Sequence, residues 1–370
     1  MWKKSIPMFY PSVPDSAIQK VADVLRGKWI GQGNLIDEFE QKFSSVLHIP
    51  HVVGVNNSAS AIRLALSIIG VGPGDEVVTT PMTCTLTNMP ILEQYAIPVF
   101  ADIQADTGNI NPVSVAAHIT KKTKAVVCTH WSGTPCDLKE LHEVARAHKL
   151  PVIEDASEAV GAQYRGSYIG SISRFTAFSF QAVQILTMGE GGALVARRKS
   201  DAARARIQRW FGIDRVSRIP TTEGYYDFNI TQVGYGYHLT NIQAVIGIES
   251  LRMLSKALNH REKIVSLYRK RLGNVHGLRL LPTYNDRISS NHFFTILVKN
   301  RKDFCRKLHE LGVEVSIVHE RNDKYKVFGG IRKDLFGLNR FSKSYIALPT
   351  HLAVRLSDAE RIISIIKTGW

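Results

Sequence analysis

The chain has 370 residues, of which 44% are hydrophobic, enough to bury a large core divided between one large and one small domain. Its 47 Lys and Arg residues outnumber 32 Asp and Glu residues, and the resulting formal charge of +15 favours anionic partners. The composition excludes a disordered chain, and with no apolar run of membrane length or signal-peptide type, a cytoplasmic protein without membrane contact is expected.

The cysteines are scattered and show no metal-type pairing such as C-x-x-C. We therefore predict reduced, buried thiols, with a catalytic thiol as the alternative, and no metal site. Basic clusters at 204–209 and 260–271 lie on segments with apolar residues at helical spacing, which is typical of a solvated basic face. No helix-turn-helix or aromatic-basic face is present, so nucleic acid is not expected as a partner.

Short β-rich runs alternate with helical segments through the first two thirds of the chain. The predicted strands are residues 51–55, 76–79, 97–102, 124–128 and 151–155, followed by 175–180 and 192–196 as an antiparallel hairpin. Apolar strands with spacers of crossover length indicate a largely parallel sheet that is covered on both faces.

The pattern changes after a long helix predicted over residues 240–271. Next come a strand at 292–298, a helix at 302–311 and a strand at 313–318. We therefore predict two domains, a large α/β domain over residues 1–250 and a smaller α+β domain over residues 251–370.

Two places indicate site chemistry from their residues alone. Small residues 57–61 open the amphipathic helix predicted at 62–69, where free N–H groups can hold a phosphate, although such residues also simply cap helices. Asp155 ends an apolar strand at the edge where open α/β sheets bind ligands. It can pair with a protonated pyridine nitrogen or cap the following helix.

Residues 178–192, which read FSFQAVQILTMGEGG, resemble the cofactor segment of the DegT/DnrJ/StrS family of sugar aminotransferases, which use pyridoxal 5'-phosphate (PLP). Segments 29–33, 153–162 and 234–244 resemble further family motifs, so the resemblance covers nearly the whole chain. It implies the PLP-dependent transferase fold of the aspartate aminotransferase type (fold type I), with a mostly parallel central sheet and a smaller α+β C-terminal domain.

The resemblance also implies residue roles. Asp155 takes the pyridinium position, while Ser179 and the turn at Ser58 and Ala59 take the phosphate positions. Segment 234–244, with Gly236, Tyr237 and His238, takes the place of one that reaches the neighbouring subunit's cofactor, which implies a homodimer. In the small domain, we name His319, Arg321 and Asn322 as candidate sugar contacts, with a structural turn as the alternative.

Gln184 stands where the family pattern places the lysine that bonds to the cofactor. An amine can bond to an aldehyde and carry protons, but a carboxamide can do neither. Five cofactor-site positions also depart from the usual residues: Gly236 replaces asparagine, His238 arginine, Cys84 a stacking aromatic, Ala59 threonine, and Glu158 a histidine or glutamine facing the ring.

Three functions are therefore open. The first is a sugar aminotransferase whose lysine is missing, by engineering or naturally, with PLP or pyridoxamine 5'-phosphate (PMP) held noncovalently. By resemblance, its substrate is a keto-sugar, a nucleotide sugar or sugar acid, and its amino donor an amino acid such as glutamate. The second is a lysine-independent, PMP-dependent sugar dehydratase-like enzyme, and the third an inactive homologue that binds a sugar nucleotide.

Overall fold

The computed structural model describes residues 5–370, so part of the N-terminal segment used to judge a signal peptide lies outside the described residues. The α-helices are Asp15–Arg26 (α1), Asn34–Leu47 (α2), Ser58–Ile69 (α3), Thr85–Glu93 (α4), Pro112–His118 (α5), Leu138–Ala147 (α6), Lys199–Gln208 (α7), Asn241–Arg252 (α8), Leu254–Leu272 (α9), Arg301–Glu310 (α10), Phe336–Ser344 (α11) and Leu356–Lys367 (α12). None of the helices in this part of the chain has both the length and the apolar character needed to span a bilayer.

The strands are Val52–Val55 (β1), Glu76–Thr79 (β2), Ile97–Phe100 (β3), Thr123–Thr129 (β4), Val152–Asp155 (β5), Gln163–Tyr164 (β6), Ser167–Tyr168 (β7), Phe175–Ser179 (β8), Gly192–Ala196 (β9), Ile219–Pro220 (β10), Tyr226–Asp227 (β11), Leu278–Leu280 (β12), Arg287–Ile288 (β13), Phe294–Val298 (β14) and Tyr345–Leu348 (β15).

Seven strands form the main sheet in the order β1-β9-β8-β5-β4-β2-β3. Six of them run parallel, and β9 is antiparallel to both of its neighbours, β1 and β8. The prediction of a largely parallel sheet with a hairpin at 175–196 is thus confirmed. Because parallel strands end at one edge, the side chains that follow β1, β5 and β8 are brought to the same side of the molecule.

Apolar cores cover both faces of the main sheet, which explains why its strands read as continuous hydrophobic runs. On one face, Phe39 and Phe43 of α2 pack edge-on against Phe178 and Phe180. On the other face, the apolar side of α3 packs against Phe175 and its neighbours. The sheet edge is therefore held between two rigid layers.

Two predicted elements differ from the structure. The helix predicted over 240–271 is two helices, because α8 ends at Arg252 and α9 begins at Leu254. Met253 lies between them, and its N–H donates to the Ser250 carbonyl, three residues back, at 3.0 Å. The strand predicted at 313–318 is absent as a ladder. Val313 and Ser316 instead form isolated bridges to Ile6 and Ala347, so each partner is met at a single point.

A second, antiparallel sheet of β12, β14 and β15 lies in the C-terminal part, packed against α9 and α12. Ile6 packs into the same core, although it lies at the other end of the chain. The division of the chain at residue 250 stays a prediction.

Candidate active site

Asp155 is the last residue of β5 and is only 3% exposed. Its Oδ1 accepts hydrogen bonds from the backbone N–H of Ser157 at 3.0 Å and from the Ser157 hydroxyl at 2.6 Å. Its Oδ2 accepts from the Thr87 hydroxyl. Three donors thus hold this buried carboxylate in place at the end of β5.

A row of three threonine hydroxyl groups is hydrogen-bonded to this carboxylate, each to the next. Since Thr87 donates to Asp155, its oxygen is left as the acceptor for the Thr83 hydroxyl at 2.7 Å. Thr83 in turn accepts from the Thr129 hydroxyl at 3.0 Å. The carboxylate can only accept, so it sets the direction of every hydroxyl in the row.

Glu158 lies three residues further along and contacts two residues that are distant in sequence, Ser132 and His319. Its Oε2 accepts from the Ser132 backbone N–H at 2.7 Å, and its Oε1 lies 2.7 Å from Nε2 of His319. Ser132 has a left-handed backbone with φ 58°, and the next residue, Gly133, has φ 85°. The strained turn thus aims an N–H at the carboxylate, and Glu158 and His319 are brought together as a pair.

The residues of the predicted phosphate cradle lie where β1, β8 and β9 meet α3. Ser179 ends β8 and is paired with Gly192, where a Cβ would lie 2.5 Å from the backbone carbon of Asn57. Asn57 caps α3 by accepting from the Ser60 N–H at 2.8 Å. The first-turn N–H groups at Ser58 and Ala59 have no intrahelical acceptor, so cap and cradle are both compatible with this helix start.

Gln184 lies in the loop between β8 and β9, five positions after Ser179. Its backbone N–H donates to the Gln181 carbonyl at 2.9 Å. Its side-chain Oε1 is buried and has no hydrogen-bond partner among residues 5–370. A buried acceptor without a donor is costly, so the described protein groups leave the hydrogen-bonding capacity of this oxygen unmet.

Cys84 immediately precedes α4, near the carboxylates of Asp155 and Glu158. Burial raises the pKa of the Cys84 thiol, and the two negative charges raise it further. A neutral thiol is a poor nucleophile, so the alternative of a catalytic thiol loses support. Of the other cysteines, Cys128 is buried as predicted, whereas Cys305 is partly exposed.

The side chains of Tyr237 and His238 are not part of the cluster around Asp155, and Gly236 has no side chain to contribute. Tyr237 stacks on Tyr235 with ring centroids 4.8 Å apart, and His238 packs on Trp210 at 4.1 Å. In the described part of the chain, neither makes a hydrogen bond or ring contact with Asp155, Glu158 or Gln184. Their backbone is nevertheless close to the cradle, since the Tyr237 carbonyl accepts from the N–H of Asn56 at 2.9 Å.

Arg321 and Asn322 are bound by other protein groups. The guanidinium of Arg321 pairs with Asp323 and donates to Asn339. The buried amide of Asn322 donates to the Thr83 carbonyl at 2.7 Å and accepts from Asn88 at 2.8 Å. These contacts favour the alternative of a structural turn for both residues, and they fix the loop that carries Thr83.

The sequence did not point to the residues that hold the site together. Thr87, Thr83, Thr129, Ser157 and Ser132 are ordinary polar residues in loops or at element ends, and no local motif marks them. Their partners are far away in sequence, so only the assembled sheet reveals them.

His292, whose N–H donates to the Ser132 carbonyl, carries a pH-dependent part of the stability. Burial, and then the nearby charge of Arg261, lower the pKa of His292 well below the usual value. Below about pH 6.5 the imidazole binds a proton in the unfolded chain but stays neutral in the folded chain. The free energy of unfolding should therefore fall on acidification by up to about 1.4 kcal/mol per pH unit. Urea titrations from pH 7.5 to 5.5 should show a shallower fall for His292→Gln than for the parent. The exposed control His148→Gln should retain the parent's slope, and an identical slope in all three proteins would contradict the assignment.

Comparison with known proteins identifies the family. Residues 11–367 match the DegT/DnrJ/EryC1/StrS aminotransferase family. The chain belongs to this family. GDP-perosamine synthase of Caulobacter vibrioides is 33% identical over 364 residues, which cover 93% of this chain and 92% of that protein.

Solved structures agree in fold. The sugar aminotransferase CalS13 from Micromonospora echinospora superposes with a TM-score of 0.94 at 31% identity, covering 99% of this chain and 100% of that one. The putative sugar aminotransferase Spr1654 from Streptococcus pneumoniae, in its PLP form, gives 0.91 at 26% identity, with 98% of each chain covered. A PMP form of Spr1654 matches equally well. The fold is therefore that of the PLP-dependent sugar aminotransferases.

Proposed function

We propose that this member of the family is a nucleotide-sugar aminotransferase that lacks the cofactor lysine and holds PLP or PMP without a covalent bond. The observation that carries the proposal is the buried carboxylate of Asp155, which is held by three donors at the ligand-binding edge of the sheet. A buried carboxylate with this support, and with no ion pair among residues 5–370, suits a protonated pyridine nitrogen.

The residues present fit the cofactor. Asp155 would hold the ring nitrogen and keep its proton in place, while the Ser179 hydroxyl and the N–H groups at Ser58 and Ala59 would hold the phosphate. The unpartnered Oε1 of Gln184 is an acceptor that suits the amino group of the pyridoxamine form. When bound, the cofactor supplies the electron sink and the transferable amino group that side chains lack.

The substrate class follows from the family and from charge. We infer a nucleotide-linked keto-sugar or sugar acid as amino acceptor and an amino acid as donor. The name GDP-perosamine synthase indicates a nucleotide-linked sugar for that relative, and the name of CalS13 indicates a sugar aminotransferase. The formal charge of +15 attracts such anions and increases their encounter rate.

A reaction without lysine is the second candidate. It is favoured by the Glu158–His319 pair, since an imidazole can move protons at neutral pH and the Gln184 amide cannot. The unchanged chain, loaded with PMP and given a keto-sugar nucleotide, distinguishes the candidates. Dehydration of the sugar by the unchanged chain that is lost in His319→Gln would favour the second candidate, and unchanged sugar would contradict it.

Noncovalent binding makes a direct prediction. PLP added to the protein and treated with borohydride should be removed completely by denaturation and desalting, because Gln184 offers no amine. Intact mass spectrometry should then give the mass of the chain alone, while Gln184→Lys should retain the reduced cofactor. A pyridoxyl group found on a lysine of the unchanged chain, for example Lys324, would contradict the proposal.

We also propose a homodimer in which segment 234–244 serves the partner's site. In the described part of the chain, the side chains of Tyr237 and His238 make no hydrogen bond or ring contact with Asp155, Glu158 or Gln184, and Val233, just before the segment, is 74% exposed. Sedimentation at micromolar concentration should give a dimer, and a monomer at all concentrations would remove the cross-subunit role of Tyr237 and His238.

A further inference from the structure

A second cavity, of about 590 Å³, lies outside the cluster around Asp155. It is bounded by the start of α2, the end of α7 and the loop that follows α7. Two arginines fix one wall of the cavity to the edge strand β1. Arg206 donates to the Val52 carbonyl at 2.8 Å and Arg209 to the Gly54 carbonyl at 2.7 Å. Its volume is in the range of small-molecule sites.

The cavity collects more positive than negative charge. Arg206, Arg209, Arg215 and Arg218 line it, together with the carboxylates of Asp37 and Asp214. The single carboxylate of Glu40 serves both Arg206 and Arg209.

Within residues 5–370, neither Arg215 nor Arg218 forms an ion pair with a carboxylate. Arg215 lies over the Trp210 ring at 4.6 Å, and Arg218 over the Tyr226 ring at 4.3 Å. Burial and the neighbouring arginines lower the pKa of Arg215. An anion placed here would relieve this repulsion.

Two buried polar atoms in the cavity wall have no hydrogen-bond partner among residues 5–370. Arg209 is 4% exposed, and its Nε has no hydrogen-bond partner in the described chain. The same holds for the buried Oε1 of Gln32. Both residues line the cavity, although the two unpartnered atoms are themselves shielded from solvent.

One wall is aromatic and held in place. Trp29 is 67% exposed, and its indole N–H donates to the Gln32 carbonyl at 3.0 Å, which restricts the ring's orientation. An exposed, fixed indole next to arginines is suited to stack on a planar base.

We propose that this cavity binds a nucleoside diphosphate, with the diphosphate between Arg215 and Arg218 and the base on Trp29. Planar guanidinium groups bind phosphate oxygens in pairs, and the stacking indole accounts for preference over inorganic anions. The inference rests on the proposed function only in that a nucleotide-linked sugar carries the same group.

Isothermal titration with UDP, GDP and inorganic pyrophosphate tests the site in the protein without added cofactor. Arg215→Gln combined with Arg218→Gln should weaken all three ligands by about tenfold or more, as expected for lost charge-assisted hydrogen bonds. The control, Arg146→Gln with Lys149→Gln, removes the same charge from exposed positions of another basic surface and should leave affinity unchanged. Trp29→Ala should weaken the nucleotides but not pyrophosphate.

Absence of binding, or equal weakening in the control, would overturn the proposal, and neither result depends on the cofactor or on catalysis. The source of the nucleotide is decided in the Gln184→Lys background. If the site holds the substrate's own nucleotide, the arginine variants raise KM for the nucleotide sugar. If it holds a separate nucleotide, KM stays constant and only the titrations change.

Discussion

Gln184→Lys is expected to raise transamination between glutamate and a nucleotide-linked keto-sugar by about a thousandfold or more, since loss of a central catalytic group commonly costs that much. The amide of Gln184 has no basic nitrogen at neutral pH, whereas an amine can bond to the cofactor aldehyde and carry protons. The supporting groups are already present, because Asp155 retains its three donors and Ser179 lies beside the start of α3. Coupled detection of 2-oxoglutarate measures the rate.

The matched control is Gln184→Met, which has nearly the length of lysine but no amine and should show no gain. A lysine variant that bonds to the cofactor but converts none of a broad keto-sugar panel would contradict the aminotransferase proposal. The departures at Cys84, Glu158, Gly236 and His238 would then be decisive, and a binding protein or the lysine-independent reaction would take its place.

Gly133→Ala is expected to destabilise the protein by about 2–5 kcal/mol. Gly133 has φ 85°, and a Cβ there would lie 1.9 Å from the Ser290 hydroxyl oxygen and 2.6 Å from the Glu158 carbonyl oxygen. The left-handed backbone costs about 1–2 kcal/mol for a residue with a side chain, and overpacking typically adds about 1–3 kcal/mol. Equilibrium urea unfolding gives the difference in free energy.

Gly70→Ala separates the two causes. Gly70 has φ 89° and no atom within 4 Å of the added Cβ, so its substitution should cost only the backbone part, about 1–2 kcal/mol. Equal losses in both variants would mean that the turn at Gly133 is not packed against Glu158 as described.

Much of the fold was predictable because its signals are local. The apolar runs of β1, β4 and β5 reflect burial on both faces, and each was placed to within one or two residues. The strand predicted at 313–318 was wrong because a short β-rich run does not record how long a partner strand runs alongside it. The break at Met253 was missed because no glycine or proline lies between Ile248 and Leu272 to mark it.

By itself, the sequence determined the family fold, the position of Asp155 at the end of a strand and the amide at position 184, because each depends on residue identity or on a local pattern. Only the tertiary structure decided that Thr87, 68 residues away, donates to Asp155, and that His319, 161 residues away, meets Glu158. It also showed Arg321 bound to Asp323 and four arginines gathered in one cavity. Such contacts follow from strand order and from packing between layers, which bring distant residues together without leaving any period or motif in the chain.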